Sequence, residues 1–412
     1  MITIPARTSV THRWLPLILG LAFGLRAALG WMHPFNFPDS ADYKALAHAL
    51  VTHQPYVAGG YVASRMPGYP LLLAGVEMVG GGDRAIMVLQ ALMGALIVWL
   101  IYLVGKRLST TTALIAAAFA AFDPLSIGFS AAVLTETPFT LCLVASIWLG
   151  VRIIESRNGL KAWRLWVALG VVWGIGVYLR ASALWAIVPL SLAAAYFAAV
   201  PQRRLAAWVL PPLIPLAIIF ALLTPWLVRN YSIFHTHPLR LTTLEGISLY
   251  EAVYPDADGG PKQDIINRNL PAEMQSMNEA ERNDEWNRRA WQDIRNDPGR
   301  IAKLAVIKIA RTWSPWFHAA DFRAGPIQWL MALWNVPLLA LALVGLFGRM
   351  RRDVLILLVI PIGYFTAIHA LFLGSVRYRV PLMPLVGILA AHGVMVMVRR
   401  LAKAQPSAVR EV

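Results

Sequence analysis

Apolar runs of membrane-crossing length alternate along the chain with short polar turns, and only two polar stretches are long: residues 33–83 and the roughly 95 residues beyond 228. About 20 consecutive apolar residues are what a helix needs to cross the hydrocarbon core. The pattern predicts spans at 14–32, 85–105 and 111–122, one from Pro138, one from Leu165 and a sixth reaching Arg203 and Arg204. Four more follow at 209–228, 326–347, 354–373 and 380–398. The expected fold is therefore all-α and polytopic, with about ten transmembrane helices. Within 33–83, short amphipathic stretches begin at Asp39 and at Pro67; they are too short to cross and suit the interface.

Composition agrees with the pattern. Hydrophobic residues make up 58% of the 412 and charged residues 14%, against about 25% charged in soluble domains. The net charge of +15 does not point to nucleic acid, because the basic residues cluster at span ends: Arg7 and Arg13, Lys106 and Arg107, Arg152 to Arg164 with Lys161, Arg203 and Arg204, Arg349 to Arg352, Arg399 and Arg400. By the positive-inside rule those ends are cytoplasmic, which puts both termini inside and residues 33–83 outside. The first apolar run lacks a small-residue cleavage site and reads as an uncleaved helix of a multi-pass inner-membrane protein. Cys142, the single cysteine, lies in an apolar run, which allows no intrachain disulfide and does not favour a thiolate.

Three regions follow: an N-terminal membrane module, 1–229, with its first external loop; an external helical segment, 230–325; and a C-terminal membrane module, 326–412. The middle region holds 13 of the 22 carboxylates, so it belongs in water. Its second half reads as two helices broken at Asp297-Pro298-Gly299, the latter patterned to lie on a membrane.

Candidate chemistry gathers outside. In P-D-S-A-D-Y (38–43), Asp39, Asp42 and Tyr43 share one helix face. Asp39 suits a general base at the lip of the bilayer, and equally an acidic cap of the helix end. Arg65 in R-M-P-G-Y-P suits a phosphate, of a substrate or of a bulk lipid. Glu136 in L-T-E-T-P-F is either the acid that complements a helix N-terminus or a second acid facing Asp39. Convergence of those two would permit a divalent cation, Mg or Mn, on Asp39 and Glu136. Arg377, Tyr378 and Arg379 at the mouth of the last span, and Arg180 and Arg229 at others, are interfacial anchors or site residues. Arg26, inside the first span, needs a partner or must snorkel. Tyr43, Tyr69 and Trp226 offer aromatic faces to a ligand.

Five motifs in order, P-D-S-A-D-Y, S-R-M-P-G-Y-P-L-L-L-A, L-T-E-T-P-F, T-P-W-L-V-R-N-Y (224–231) and R-Y-R-V-P-L-M-P (377–384), resemble the GT-C superfamily of membrane glycosyltransferases. The similarity is to the branch of the protein O-mannosyltransferases and the lipid A aminoarabinose transferase. The resemblance implies transfer of a sugar from a polyprenyl-phosphate donor to a lipid, glycan or protein acceptor on the external, periplasmic face. It implies Asp39 as the acidic catalytic residue, here expected as general base, with Asp42 and Tyr43 beside it, Arg65 on the carrier phosphate and Glu136 at a second acidic position; Arg229, Arg377, Tyr378 and Arg379 are expected to bind substrate with them. Two departures stand out: the paired acid of many members is Asp39-Ser40 here, and no soluble domain follows the last span. A polytopic lipid or solute transporter is the alternative from another class, since intramembrane charge and the prolines at 211, 212 and 215 also suit one. A scaffold role in envelope assembly is a third.

Overall fold

Helices run back and forth between two ends of a bundle. The computed structural model describes residues 8–157, 162–199, 208–262, 270–318 and 325–404. Helix α1 (Thr8–Met32) leads into the outer loop, which forms α2 (Pro38–Val51) and α3 (Gly68–Met78). Then come α4 (Asp83–Gly105), α5 (Thr110–Phe122), the short α6 (Pro124–Ser130), α7 (Glu136–Glu155), α8 (Trp163–Leu179), α9 (Ile187–Ala199) and α10 (Leu213–Phe234). The external segment supplies α11 (Glu245–Val253), α12 (Glu279–Asn296) and α13 (Pro298–Thr312); α14 (Pro326–Leu346), α15 (Arg352–Leu371) and α16 (Met383–Ala404) complete the bundle.

Among the described residues eight helices are long and apolar enough to cross a membrane, or nine if a bent pair counts as one span. The expected total of about ten differs at two places. The stretch expected at 111–122 is short because Pro124 cannot continue a helix, and α5 and α6 meet at a 51° bend. Helix α8 has 17 residues, below the usual crossing length. Arg7, Lys161, Arg203 and Arg204 lie outside the described residues.

Arg26 explains how the bend is tolerated. Its guanidinium donates to the carbonyls of Ala120 and Ala121 at 2.9–3.0 Å, carbonyls that the broken helix leaves without intrahelical donors. It therefore has partners inside the protein and does not snorkel. At the opposite end of the bundle, Arg107 pairs with Glu155 (3.0 Å) and Asp353 (3.5 Å), tying α4, α7 and α15. The crossing of α14 and α16 is close: a Cβ on Gly393 would lie 2.0 Å from the Leu341 carbonyl oxygen and one on Gly345 1.9 Å from that of Leu389. Small residues permit such backbone approach in membrane bundles.

The 230–325 segment packs onto the 33–83 loop. Glu279, at the start of α12, accepts from the Val62 and Ala63 amides (2.7 and 3.1 Å) and from the Thr243 hydroxyl. Arg240 binds both oxygens of Asp284 at 2.8 Å. As the sequence predicted, α12 and α13 break at Asp297, whose carboxylate caps α13 through the Arg300 amide at 2.9 Å.

Candidate active site

Helix α2 begins at Pro38, whose fixed φ suits a first helical position, and its end is capped by Ser40. The Phe37 amide donates to Ser40 Oγ (2.9 Å), and that hydroxyl donates onward to the Val133 carbonyl (3.0 Å). The capping role open to Asp39 thus falls to its neighbour, and the Asp39 carboxylate is left to face the bundle. Asp39 Oδ1 accepts from Arg65 Nη2 and Oδ2 from Arg377 Nη1, each at 2.7 Å. Arg65 also donates to Asp42 Oδ2 through Nε and Nη2 at 3.2 and 3.0 Å. Arg377 Nε donates to Glu136 Oε1 at 2.5 Å, and Arg180 Nη2 reaches the same oxygen at 3.1 Å. Asp42, Arg65, Asp39, Arg377, Glu136 and Arg180 form one chain of alternating charge, drawn from four parts of the sequence.

Backbone pairing holds those parts in register. Residues 131–135 run beside the first loop: the Phe35 amide donates to Ala131 O (2.8 Å), and Val133 returns a bond to Phe35 O. That short, bent strip delivers Glu136, fully buried, to the first turn of α7. Behind it, Tyr69 donates to Gln90, whose amide donates to the carbonyls of Ser130 and Ala132. Gly68 lets the loop reach α8, since a Cβ there would stand 2.6 Å from the Tyr178 carbonyl. Because the obstacle is backbone, Gly68→Val is expected to displace Arg65 and to lower thermal stability by about 1–3 kcal/mol. A melting curve of the variant in nanodiscs checks this.

Asp39, Arg65, Arg180 and Arg377 of this chain line a polar chamber of about 250 Å³, bounded also by Tyr43, Ser64, Thr135, Thr242, His369 and Tyr378. Burial alone would raise the Asp39 carboxyl, but the guanidiniums of Arg377 and Arg65 outweigh it and hold the group below the ordinary aspartate range. Burial raises the Tyr43 phenol, which keeps it protonated and unsuited to act as a base. Arg65 also lies over the Tyr43 ring, 5.5 Å from its centre.

Some expected residues stand elsewhere. Arg229 donates to Val62 O and Asn230 Oδ1, both at 2.8 Å, and lies over the Trp226 ring; it anchors the loop behind the chamber. Arg379 is fully buried and donates to Thr312 O and Ser314 O, joining the end of α13 to α16. Tyr69 is fully buried and Trp226 donates to Leu241 O, so neither face is open to a sugar in the chamber. His369, which sequence reasoning passed over, lines the chamber beside Arg180. The signal was present: it is an ionisable residue in the last turn of a membrane helix, eight positions before Arg377.

The donor set does not fit the divalent cation expected on Asp39 and Glu136. Both Asp39 oxygens accept guanidinium hydrogens and Glu136 Oε1 accepts two, so only Glu136 Oε2 lacks a partner. Ions of the Mg and Mn class take about six oxygen ligands. No group of three or more His, Cys, Asp or Glu side chains converges among the described residues.

Comparison with known proteins now has a geometry to meet. A model of the dolichyl-phosphate-mannose-protein mannosyltransferase family matches residues 64–228, whereas no curated protein matches at a significant level. The archaeal oligosaccharyltransferase AglB from Archaeoglobus fulgidus, solved with an inhibitory peptide and a dolichol-phosphate, superposes with a TM-score of 0.57 at 14% identity. That match covers 98% of this chain and 53% of the archaeal one. An oligosaccharyltransferase of the same organism, in complex with Zn and sulfate, gives 0.56 at 14% identity, covering 95% and 50%. ArnT from Cupriavidus metallidurans, bound to undecaprenyl phosphate, gives 0.40 at 13% identity, covering 98% and 82%. The chain spans about half the length of the oligosaccharyltransferases it matches. It therefore shares the fold of the archaeal oligosaccharyltransferase and, over residues 64–228, is similar in sequence to the dolichyl-phosphate-mannose-protein mannosyltransferase family.

Proposed function

We propose that this protein is a membrane glycosyltransferase that moves a sugar from a polyprenyl-phosphate donor to an acceptor at the external face of the inner membrane, inverting the anomeric carbon. The observation that carries this reading is Asp39 held between Arg65 and Arg377, a carboxylate beside two cations at one end of an apolar bundle. AglB, which shares the fold, was solved with dolichol-phosphate. The arginines are suited to the phosphodiester, and Asp39 to the acceptor.

In the proposed reaction the acceptor oxygen or nitrogen attacks the anomeric carbon while the bond from that carbon to the phosphate oxygen breaks. The acceptor proton passes to Asp39. The leaving phosphate needs no proton, so the second, acidic carboxyl of a glycosidase is unnecessary. Arg65 and Arg377 stabilise its growing charge, and Asp42 and Glu136 hold those arginines from behind. A phosphodiester that draws on both guanidiniums weakens their grip on Asp39, so donor binding raises the basicity of the base. Every step uses side chains present in the chamber, and a chelator is expected to leave the rate unchanged.

The test is transfer of radiolabelled sugar from a panel of polyprenyl-phosphate donors into envelope membrane extract by purified protein in nanodiscs, with and without EDTA. Transfer that survives EDTA supports the reading. Transfer abolished by EDTA and restored by Mg or Mn would overturn the metal-free mechanism. An absence of transfer from every donor, with lipid translocation detected in proteoliposomes, would replace the enzyme with a transporter.

A further inference from the structure

Beside the polar chamber lies a larger one, of about 570 Å³, enclosed by the Ala181–Ala186 turn, α10, the 239–248 stretch and the outer end of α15. The two share Ala181, Ser182, Thr242, His369 and Tyr378 as a common wall. Their linings differ in kind. The second has apolar sides, with Trp185, Phe220, Leu223 and Ile368 among them, and a polar rim that includes Arg240, Glu245 and Ser248.

His369 stands in the shared wall and is 7% exposed. Its ring lies parallel to that of Tyr378, centroids 4.2 Å apart and 3° from coplanar, so its plane is fixed by packing. Only the Leu373 backbone interacts with its nitrogens, and neither nitrogen has a partner of good geometry. A buried imidazole so weakly satisfied has hydrogen-bonding capacity left for a ligand.

Resting on the glycosyltransferase reading, we infer that the second chamber is the acceptor site, that its occupant is a lipid-anchored molecule, and that His369 binds the hydroxyl or amine that becomes glycosylated. Depth argues for the lipid. Phe220 stands nine residues inside Arg229 on α10, about 14 Å along the helix axis, on a span long and apolar enough to cross a membrane. An alkyl chain suits walls at that level. A peptide backbone would bring amides there that apolar walls cannot pair.

The donor's tail has a separate place. A third cavity, of about 390 Å³ and lined by Pro67, Gly68, Leu71, Ile175, Pro225 and others, begins two residues after Arg65 and is almost wholly apolar. A polyprenyl chain leaving a phosphate on Arg65 has no use for hydrogen bonds and fits it. The chamber behind His369 carries Ser182, Thr242, Glu245 and Ser248, which suit the hydroxylated head of an acceptor. His369 then donates a ring N–H to the oxygen of a hydroxyl nucleophile, or accepts one of the two hydrogens of an amine, and the remaining proton passes to Asp39 during attack.

The experiment compares wild type, His369→Phe and Leu227→Trp in nanodiscs, with the same panel of radiolabelled polyprenyl-phosphate sugars as donors and either total envelope lipid or delipidated envelope protein as acceptor. Phenylalanine keeps the stack on Tyr378 and removes both nitrogens. Tryptophan at 227 fills the chamber from the α10 side, so the inference stays testable should His369→Phe fold poorly. Undecaprenyl phosphate binding is measured in parallel by native mass spectrometry. The expected result is label in the lipid fraction and a 10- to 100-fold fall in kcat/KM for lipid extract in both variants, mostly in KM, with carrier binding unchanged and partial recovery in His369→Gln. Label in the protein fraction, unaltered transfer by both variants, or equal losses of transfer and carrier binding would each overturn it. If wild type transfers nothing, the glycosyltransferase reading fails and takes the inference with it; wild-type transfer with unaltered variants removes the inference alone.

Discussion

Asp39→Asn is expected to lower transfer by about 10²- to 10⁴-fold, the usual contribution of a positioned general base, while binding of the polyprenyl phosphate stays as tight or tightens. The asymmetry follows from the ion-pair chain. Each arginine that touches Asp39 has a second carboxylate, Asp42 for Arg65 and Glu136 for Arg377, so both remain in place when Asp39 loses its charge. Removing an anion from between them leaves a more cationic pocket for the phosphate. The pH profile gives an independent check. Asp39 must be ionised to accept a proton, and in the donor-free protein its carboxyl titrates below the ordinary aspartate range; kcat/KM for the donor should therefore be level from about pH 8 to pH 5 and fall only below about pH 4, while kcat at saturating donor should begin to fall at a higher pH. A variant that retains wild-type rates would transfer the role of base to Asp42 or Glu136. Initial rates in nanodiscs at saturating donor decide between these outcomes.

Much of this arrangement was legible in the sequence because membranes restrict what a chain can do. Apolar length fixed most spans, and the positions of charges at their ends brought Asp39, Arg65, Glu136 and Arg377 to one side. The readings that failed to separate from sequence were those in which one residue type serves two purposes. Arg229 and Arg379 sit at interfacial positions like that of Arg377, yet they bind backbone carbonyls of the first loop and of the segment after α13. Only the packing of distant segments distinguishes them. Ser40 is the converse case: from sequence it reads only as a departure from a paired-acid motif, whereas its hydroxyl caps α2 and ties it to the strip before α7. The bend at Asp123 illustrates a third limit, since the proline predicts a break but not that Arg26, nearly 100 residues earlier, satisfies it.

Arg377→Gln is expected to lower transfer by about 10²- to 10³-fold, the scale set by loss of one donor to a developing negative charge, and also to destabilise the protein. Arg377 is the joint between two carboxylates: Nη1 meets Asp39 and Nε meets Glu136. Its removal leaves Glu136, which is fully buried, with Arg180 as its remaining cation and with Oε2 still unpartnered. Taking one partner from a buried pair is costly, about 3–5 kcal/mol, because the other charge is left in low dielectric. The two effects separate in the double variant. Adding Glu136→Gln removes the stranded charge, so Arg377→Gln/Glu136→Gln should regain much of the lost melting temperature, whereas transfer should stay low because nothing replaces the cation at the phosphate. Recovery of both together would make Arg377 a structural strut and leave Arg65 as the carrier's cation. Arg377→Lys extends the comparison: an ammonium keeps the charge but cannot reach Asp39 and Glu136 through a planar fork, so its transfer rate should lie between wild type and Arg377→Gln.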